Sequence, residues 1–173
     1  MIEIKKANAD DAEIIALLGR TTFSDTFKIF FHQSKDLSDY LDHTFSVPKI
    51  YDSLVKKENV YWIALHNGLP VGYAKLKLNS VSKFVSSAKV CQLQKIYVLK
   101  DYILTGIGKQ LHNALIDEAT ALGNEYIWLS VLDENKRAVK FYKREAYEKI
   151  GTHTFQIGSQ IFNFCAMGKR LLM

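Results

Sequence analysis

Apolar and polar residues alternate over Met1-Ile2-Glu3-Ile4-Lys5, the period-two pattern of a strand with one buried face. The period then lengthens. Asp10 followed by Glu13 resembles a helix start, and Ala12, Ile15, Leu18, Gly19 and Thr22 recur at helical spacing, which predicts a first helix from about Asp11. Between residues 21 and 57 a polar stretch carries Phe23, Phe27, Phe30, Phe31, Tyr40, Leu41 and Phe45, and it predicts two or three short helices with exposed connections. Strand runs at 61–65 and 71–78 flank Asn67-Gly68, a strong hairpin-turn pair, so they are expected to pair antiparallel. Another strand is predicted over 90–98. Ile107, Leu111, Ala114, Leu115 and Leu122 then mark one face of a helix ending near Gly123. The remainder reads as a buried strand over 126–132, a helix over 136–144, and strands over 147–156 and 160–167 joined near Gly158-Ser159.

Composition narrows the class. A chain of 173 residues, 48% of them hydrophobic, is long enough for one sizeable core and short for two, so one domain is expected over 1–173. No apolar run approaches the roughly 20 residues needed to cross a bilayer, and the N-terminus lacks the basic start and apolar middle of a signal peptide. A cytoplasmic protein without membrane contact is expected. Cys91 and Cys165 each lie in an apolar strand run without a Cys or His at metal-ligand spacing, so no metal is expected; sequence leaves free thiols and a disulfide both open. The 23 Lys+Arg against 18 Asp+Glu give a formal charge of +5, but the cations are scattered. That favours an anionic small ligand over a nucleic-acid groove.

The chemistry-bearing residues follow the third and fourth internal strands. Ile103-Leu104-Thr105-Gly106-Ile107-Gly108-Lys109 stands between a strand and a helix, where glycines let the backbone approach a ligand and the first-turn amides can hold a pyrophosphate. Leu111 and Gln110 exclude a dinucleotide fingerprint and a Walker loop. Taken alone, Gly-x-Gly at a helix start is as often a tight turn as an anion site. Further on, Asn135 and Tyr142 in Asn135-Lys136-Arg137-Ala138-Val139-Lys140-Phe141-Tyr142-Lys143 are two helical turns apart and can face one groove. Asn135 could equally cap its helix, and Tyr142 could be a packed aromatic.

Together the glycine loop, the following strand and this helix resemble the GNAT acetyltransferase family, with Gly106, Gly108, Asn135, Ala138 and Phe141-Tyr142 carrying the likeness. Thr22-Phe23-Ser24-Asp25-Thr26-Phe27, Ile127-Trp128-Leu129-Ser130-Val131 and His153-Thr154-Phe155 look more closely like the PaiA-type spermidine/spermine N-acetyltransferases. The resemblance implies an α/β fold with a central, mostly antiparallel twisted sheet split between its fourth and fifth strands, helices on both faces, and acetyl-CoA in the split. It implies main-chain cofactor contacts from Ile96, Tyr97 and Val98, phosphate contacts from Leu104, Thr105, Gly106, Ile107, Gly108 and Lys109, and further cofactor contacts from Asn135, Tyr142 and Lys143. Tyr142 would protonate the departing thiolate.

Two departures stand out. Ile103 replaces the usual Gln or Arg of the loop, and Gln92 and Gln94 stand where many relatives carry a glutamate base. Neither glutamine can take a proton at neutral pH. A water chain or His153 is the expected base, with Tyr97 a weaker candidate. The acceptor is expected to be a small-molecule amine, a polyamine above all, with Asp25 and Phe27 contacting it through charge and ring faces. Another amine, a peptide acceptor, and a noncatalytic CoA-binding regulator are the alternatives. The aromatics between Phe23 and Phe45 could wall a substrate site or form a homodimer surface.

Overall fold

The computed structural model describes residues 1–171. The alternating N-terminus forms β1 (Ile2–Lys6), paired antiparallel with β2 (Asn59–His66). β2 turns into β3 (Leu69–Lys77) through Asn67 and Gly68, whose φ of 50° and 84° give the doubly left-handed turn that matches strand twist. β4 (Val90–Val98) continues antiparallel on β3, β5 (Tyr126–Leu132) runs parallel to β4, and β7 (Gln160–Arg170) and β6 (Glu148–Ile157) complete the sheet. The order is β1-β2-β3-β4-β5-β7-β6, antiparallel except at β4–β5. This is the expected α/β architecture.

Among the described residues five α-helices flank the sheet: α1 (Ala12–Phe27), α2 (Ser34–Thr44), α3 (Val47–Leu54), α4 (Ile107–Ala121) and α5 (Lys136–Arg144). The start signal lies earlier than Asp10 and Glu13. Asn8 accepts from the Asp10 amide while the Asp11 carboxylate accepts from the Asn8 amide at 2.9 Å, a capping box that closes a 3-10 turn leading into α1. Residues 21–27, expected among the short helices, prolong α1 instead. Thr22 and Phe23 continue the buried face of Ile15, Leu18 and Gly19, and the Thr22 hydroxyl bonds back to the Leu18 carbonyl at 2.7 Å.

Alternation places the strand side chains in two cores. On one face Trp62, Ala64, Ala74, Leu76, Leu93 and Leu129 pack under Ile107, Leu111, Leu115 and Ala119 of α4. On the other, Tyr61, Ile63 and Tyr73 pack against Ile15, Leu18 and Phe23 of α1 and Ile50 of α3. Cys91 and Cys165 are buried free thiols, and burial pushes the Cys91 thiol up to about 12, which makes it a poor nucleophile. No helix among the described residues is long and apolar enough to cross a membrane.

One irregularity in the sheet matters for function. β4 and β5 pair only at Val90–Tyr126, Cys91–Ile127 and Gln92–Trp128, although both strands continue beyond. β5 stays paired with β7 along its whole length, as far as Leu132 opposite Phe164. The sheet therefore opens into a wedge past Gln92.

Candidate active site

The wedge leaves main-chain groups without sheet partners, and register tells which ones. The Leu99 amide donates to the Val71 carbonyl at 2.8 Å, so Leu99 and Val71 form a hydrogen-bonded antiparallel pair. Two residues back, Tyr97 opposite Tyr73 repeats that geometry, while Val98 opposite Gly72 and Ile96 opposite Ala74 are the intervening pairs. The amides and carbonyls of Ile96 and Val98 consequently point away from β3, into the opening. A cavity of about 320 Å³ occupies it, walled by β4, by Ser130, Val131 and Leu132 of β5, by the loop before α4, and by α5.

The loop supplies the second wall. Gly106 is the N-cap of α4 at φ 88° and offers no side-chain cap, and the first helical bond runs from the Gln110 amide to the Gly106 carbonyl. The amides of Ile107, Gly108 and Lys109 therefore have no intrahelical acceptor. No heavy atom lies within 4 Å of a Cβ built on Gly106 or Gly108. Gly108 also has an ordinary φ, so neither packing nor backbone strain demands glycine there; its small size keeps the space above the helix start open. A diphosphate group fits such a cradle, by backbone donors and helix dipole together. Leu104 holds a left-handed φ of 67° with its side chain 87% exposed, beside Thr105, whose hydroxyl bonds the Tyr102 carbonyl.

The third wall is α5. Asn135 caps it, its side-chain oxygen accepting from the Ala138 amide at 3.3 Å, and also lines the cavity, so capping does not remove it from the groove. Tyr142 lines the cavity too, at 7% exposure, packed among Phe141 and Tyr147. Burial holds its phenol well above the ordinary range, so the hydroxyl stays protonated at any physiological pH. Of the residues expected around the cofactor, Ile96, Tyr97, Val98, Leu104, Gly106, Gly108, Lys109, Asn135 and Tyr142 line the cavity. Ile107 turns its side chain into the core, and Thr105 and Lys143 do not line the cavity. Arg137 and Arg144 do, and sequence reasoning missed both: each stands two residues after Asn135 or Tyr142, a helical spacing that gives no sign of a shared face. Lys109 is ion-paired with Glu145.

A second cavity of about 430 Å³ adjoins the first on the α1 side of the sheet. Phe27, Gln94, Lys95, Tyr97, Ser130, Leu132 and Phe164 are shared by the two linings, so the cavities meet across the wedge. Phe23, Phe31, Tyr40, Tyr61, Phe155 and Phe162 make the second cavity aromatic. His153 lines it from β6, with Nε2 sharing a 2.8 Å hydrogen bond with the Ser130 hydroxyl and the ring stacked on Phe164 at 5.4 Å. Ser130 was legible only as part of a resemblance; its pairing with His153 depends on strands β5 and β6 being separated by β7 alone. Gln94 lines both cavities, whereas Gln92 accepts a hydrogen bond from the Ser80 hydroxyl at 2.8 Å. Asp25 lines neither cavity.

Comparison with known proteins agrees with this geometry. The acetyltransferase (GNAT) family profile matches residues 22–146. An N-acetyltransferase of Lactobacillus delbrueckii subsp. lactis is 22% identical over 91% of this chain and 90% of its own, and one of Mycobacterium tuberculosis is 27% identical over 79% and 83%. Among solved structures, PaiA N-acetyltransferase from Thermoplasma acidophilum in complex with coenzyme A superposes with a TM-score of 0.76 at 19% identity, covering 98% of this chain and 99% of that one. The ribosomal-protein-S18-alanine N-acetyltransferase of Escherichia coli gives 0.73 at 17% identity, covering 100% and 96%. With the profile spanning most of its length, the chain belongs to the GNAT family of acetyl-CoA-dependent N-acetyltransferases.

Proposed function

We propose that the protein transfers the acetyl group of acetyl-CoA directly to a primary amine of a small acceptor, with both partners held at once on either side of the sheet opening. The observation that carries this is the pair of cavities meeting across the wedge, one against a glycine-built helix start and the other walled by aromatics. The amides of Ile107, Gly108 and Lys109, with Arg137 and Arg144 nearby, would hold the diphosphate, and the main chain of Ile96 and Val98 the pantetheine amides. When bound, acetyl-CoA supplies an activated acyl carbon attached to a thiolate leaving group.

The chain's own residues then handle position and protons. Tyr142, kept protonated by burial, donates its proton at the departing sulfur and is reprotonated by the second proton that the acceptor nitrogen sheds as the amide forms. An acceptor amine has an ordinary pKa near 10 and arrives protonated. His153, with Nε2 bonded to the Ser130 hydroxyl and its ring stacked on Phe164, takes that proton through Ser130: the hydroxyl oxygen receives a proton from the amine as its own passes to Nε2. Holding amine and acyl carbon in contact provides most of the acceleration.

A polyamine acceptor is the finer expectation, supported by the PaiA-like segments and by the Thermoplasma neighbour's fold. Against it, the second cavity is lined by Lys49, Lys75 and Lys95 and by no Asp or Glu. The test is release of free thiol from acetyl-CoA with a panel of amino acids, short peptides and spermidine. Acceptor-dependent release is expected; measurable CoA binding with no release from any acceptor would favour a noncatalytic CoA-binding regulator.

A further inference from the structure

We infer that the acceptor is an amine that also carries a carboxylate, an amino acid with a bulky apolar side chain, seated with its carboxylate against Lys75 and Lys95; this rests on the acetyl-transfer reading above. Lys75 of β3 and Lys95 of β4 are direct partners across the ladder, on the face turned toward α1 and α3. Like charges opposite each other weaken a strand pair. Lys75 is only 9% exposed. Among the described residues neither lysine forms an ion pair. Their ammonium groups meet aromatic rings instead, Lys75 at 5.5 Å from the Tyr61 centroid and Lys95 at 4.9 Å from that of Phe45.

The surroundings supply more positive charge and, among the described residues, no carboxylate ion-paired with either lysine. Lys49 of α3 lines the same cavity, and Lys56 and Lys77 also act on Lys75, against Glu58 alone as a carboxylate. The acids of α2 are engaged elsewhere: Asp36 accepts from the Ser159 amide and hydroxyl, Asp39 pairs with Lys35, and Asp42 with Arg20. Burial, then repulsion from neighbouring lysines, depresses Lys75 to about 7 and Lys95 to about 8. Two poorly solvated ammonium groups on a cavity wall are a costly arrangement unless something anionic completes it. A carboxylate does so for both at once, while a polycation meets repulsion.

The rest of the cavity sets the remaining chemistry. Phe23, Phe31, Tyr40, Phe155 and Phe162 offer an apolar surface for a side chain. Lys95 lines both cavities, so an anion beside it leaves an amine a few bonds away at the wedge, where Ser130 and the acyl site lie. An α-amino acid has that short separation between its two polar groups.

The experiment compares matched acceptors, phenylalanine against phenylethylamine and leucine against 3-methylbutylamine, by kcat/KM for thiol release. The acid of each pair is expected to be better by roughly tenfold or more, and Lys75→Met or Lys95→Met should erase most of that difference. Spermidine or the carboxylate-free amines matching or beating the acids would overturn the inference. Binding is read separately, by calorimetric titration of N-acetylphenylalanine and N-acetylphenylethylamine onto the wild type and onto Lys75→Met. Lack of preference for the acid in wild type overturns the anion site whatever the transfer rate. A clear preference without acetyl transfer to any amine would leave the anion site standing and refute the transferase reading instead.

Discussion

At Tyr142 a single hydroxyl bears the proposed general-acid role. Its burial raises the phenol's pKa, which guarantees a proton to give and leaves the group free to give it only to something entering the cavity. Tyr142→Phe is expected to lower turnover about a hundredfold while acetyl-CoA affinity stays nearly constant, and an unchanged turnover would remove the general acid. Lys75 makes a different prediction, about stability. Its folded-state pKa is lowered to about 7 from an ordinary 10.5. Between those values the unfolded chain binds a proton that the folded chain does not, so stability rises with pH across that window; below about 7 the folded state bears the full cost of the charge. Without ligand at pH 7, Lys75→Met should raise the melting temperature by ~3 °C or more and flatten that rise in calorimetry. A lower melting temperature would mean that the lysine already has a partner. Tyr142 and Asn135 were legible in sequence because their helical spacing fixes a common face. The Lys75–Lys95 pair was not, because facing residues are set by strand register, and here register shifts next to Lys75.

Among the elements, the start of α4 separates packing from function most cleanly. Gly108 has open space above it and an ordinary backbone, so Gly108→Val should leave the melting temperature within a degree or two and weaken CoA binding by roughly tenfold or more, through steric exclusion at the diphosphate amides. Gly106→Val should harm both, since its φ of 88° is strained for any side chain. If both variants bound CoA like the wild type, the diphosphate would lie elsewhere. The strand–loop–helix unit itself could be read from periodicity, since Ile107, Leu111 and Leu115 all enter the core as spaced. The wedge could not, because β4 and β5 are each ordinary strands whose pairing simply stops after Gln92. The end of α1 was misjudged for a related reason: residues 21–27 were read as part of a run of short helices, yet Phe23 and Phe27 keep to one helix face, their rings tilted at 46° with centroids 4.5 Å apart. That places Asp25 on a helix side away from both cavities, where a sequence-only view put it among the substrate contacts.

For the molecule as a whole, the fold and the two-cavity layout are separable from the acceptor. The Thermoplasma and Escherichia structures share this fold at below 20% identity, so that likeness speaks to the scaffold alone. The scaffold has its own titration. His112 of α4 is buried against Phe141 and Tyr147, sharing a 3.1 Å hydrogen bond with the Tyr147 hydroxyl, and burial lowers it to about 4. At neutral pH the ring is uncharged, so its 3.6 Å approach to Glu145 is not an ion pair. The unfolded chain gains this proton near 6.5 and the folded chain near 4, so stability falls as pH drops through that interval. His112→Gln should make the acid limb of a melting-temperature profile shallower; an identical slope would assign the loss to other groups. The most direct measurement is calorimetric titration of acetyl-CoA into the folded protein. The geometry requires one saturable site that coenzyme A competes for, with binding impaired in Gly108→Val; well-folded protein that gives no heat and no competition at millimolar ligand would contradict the whole assignment.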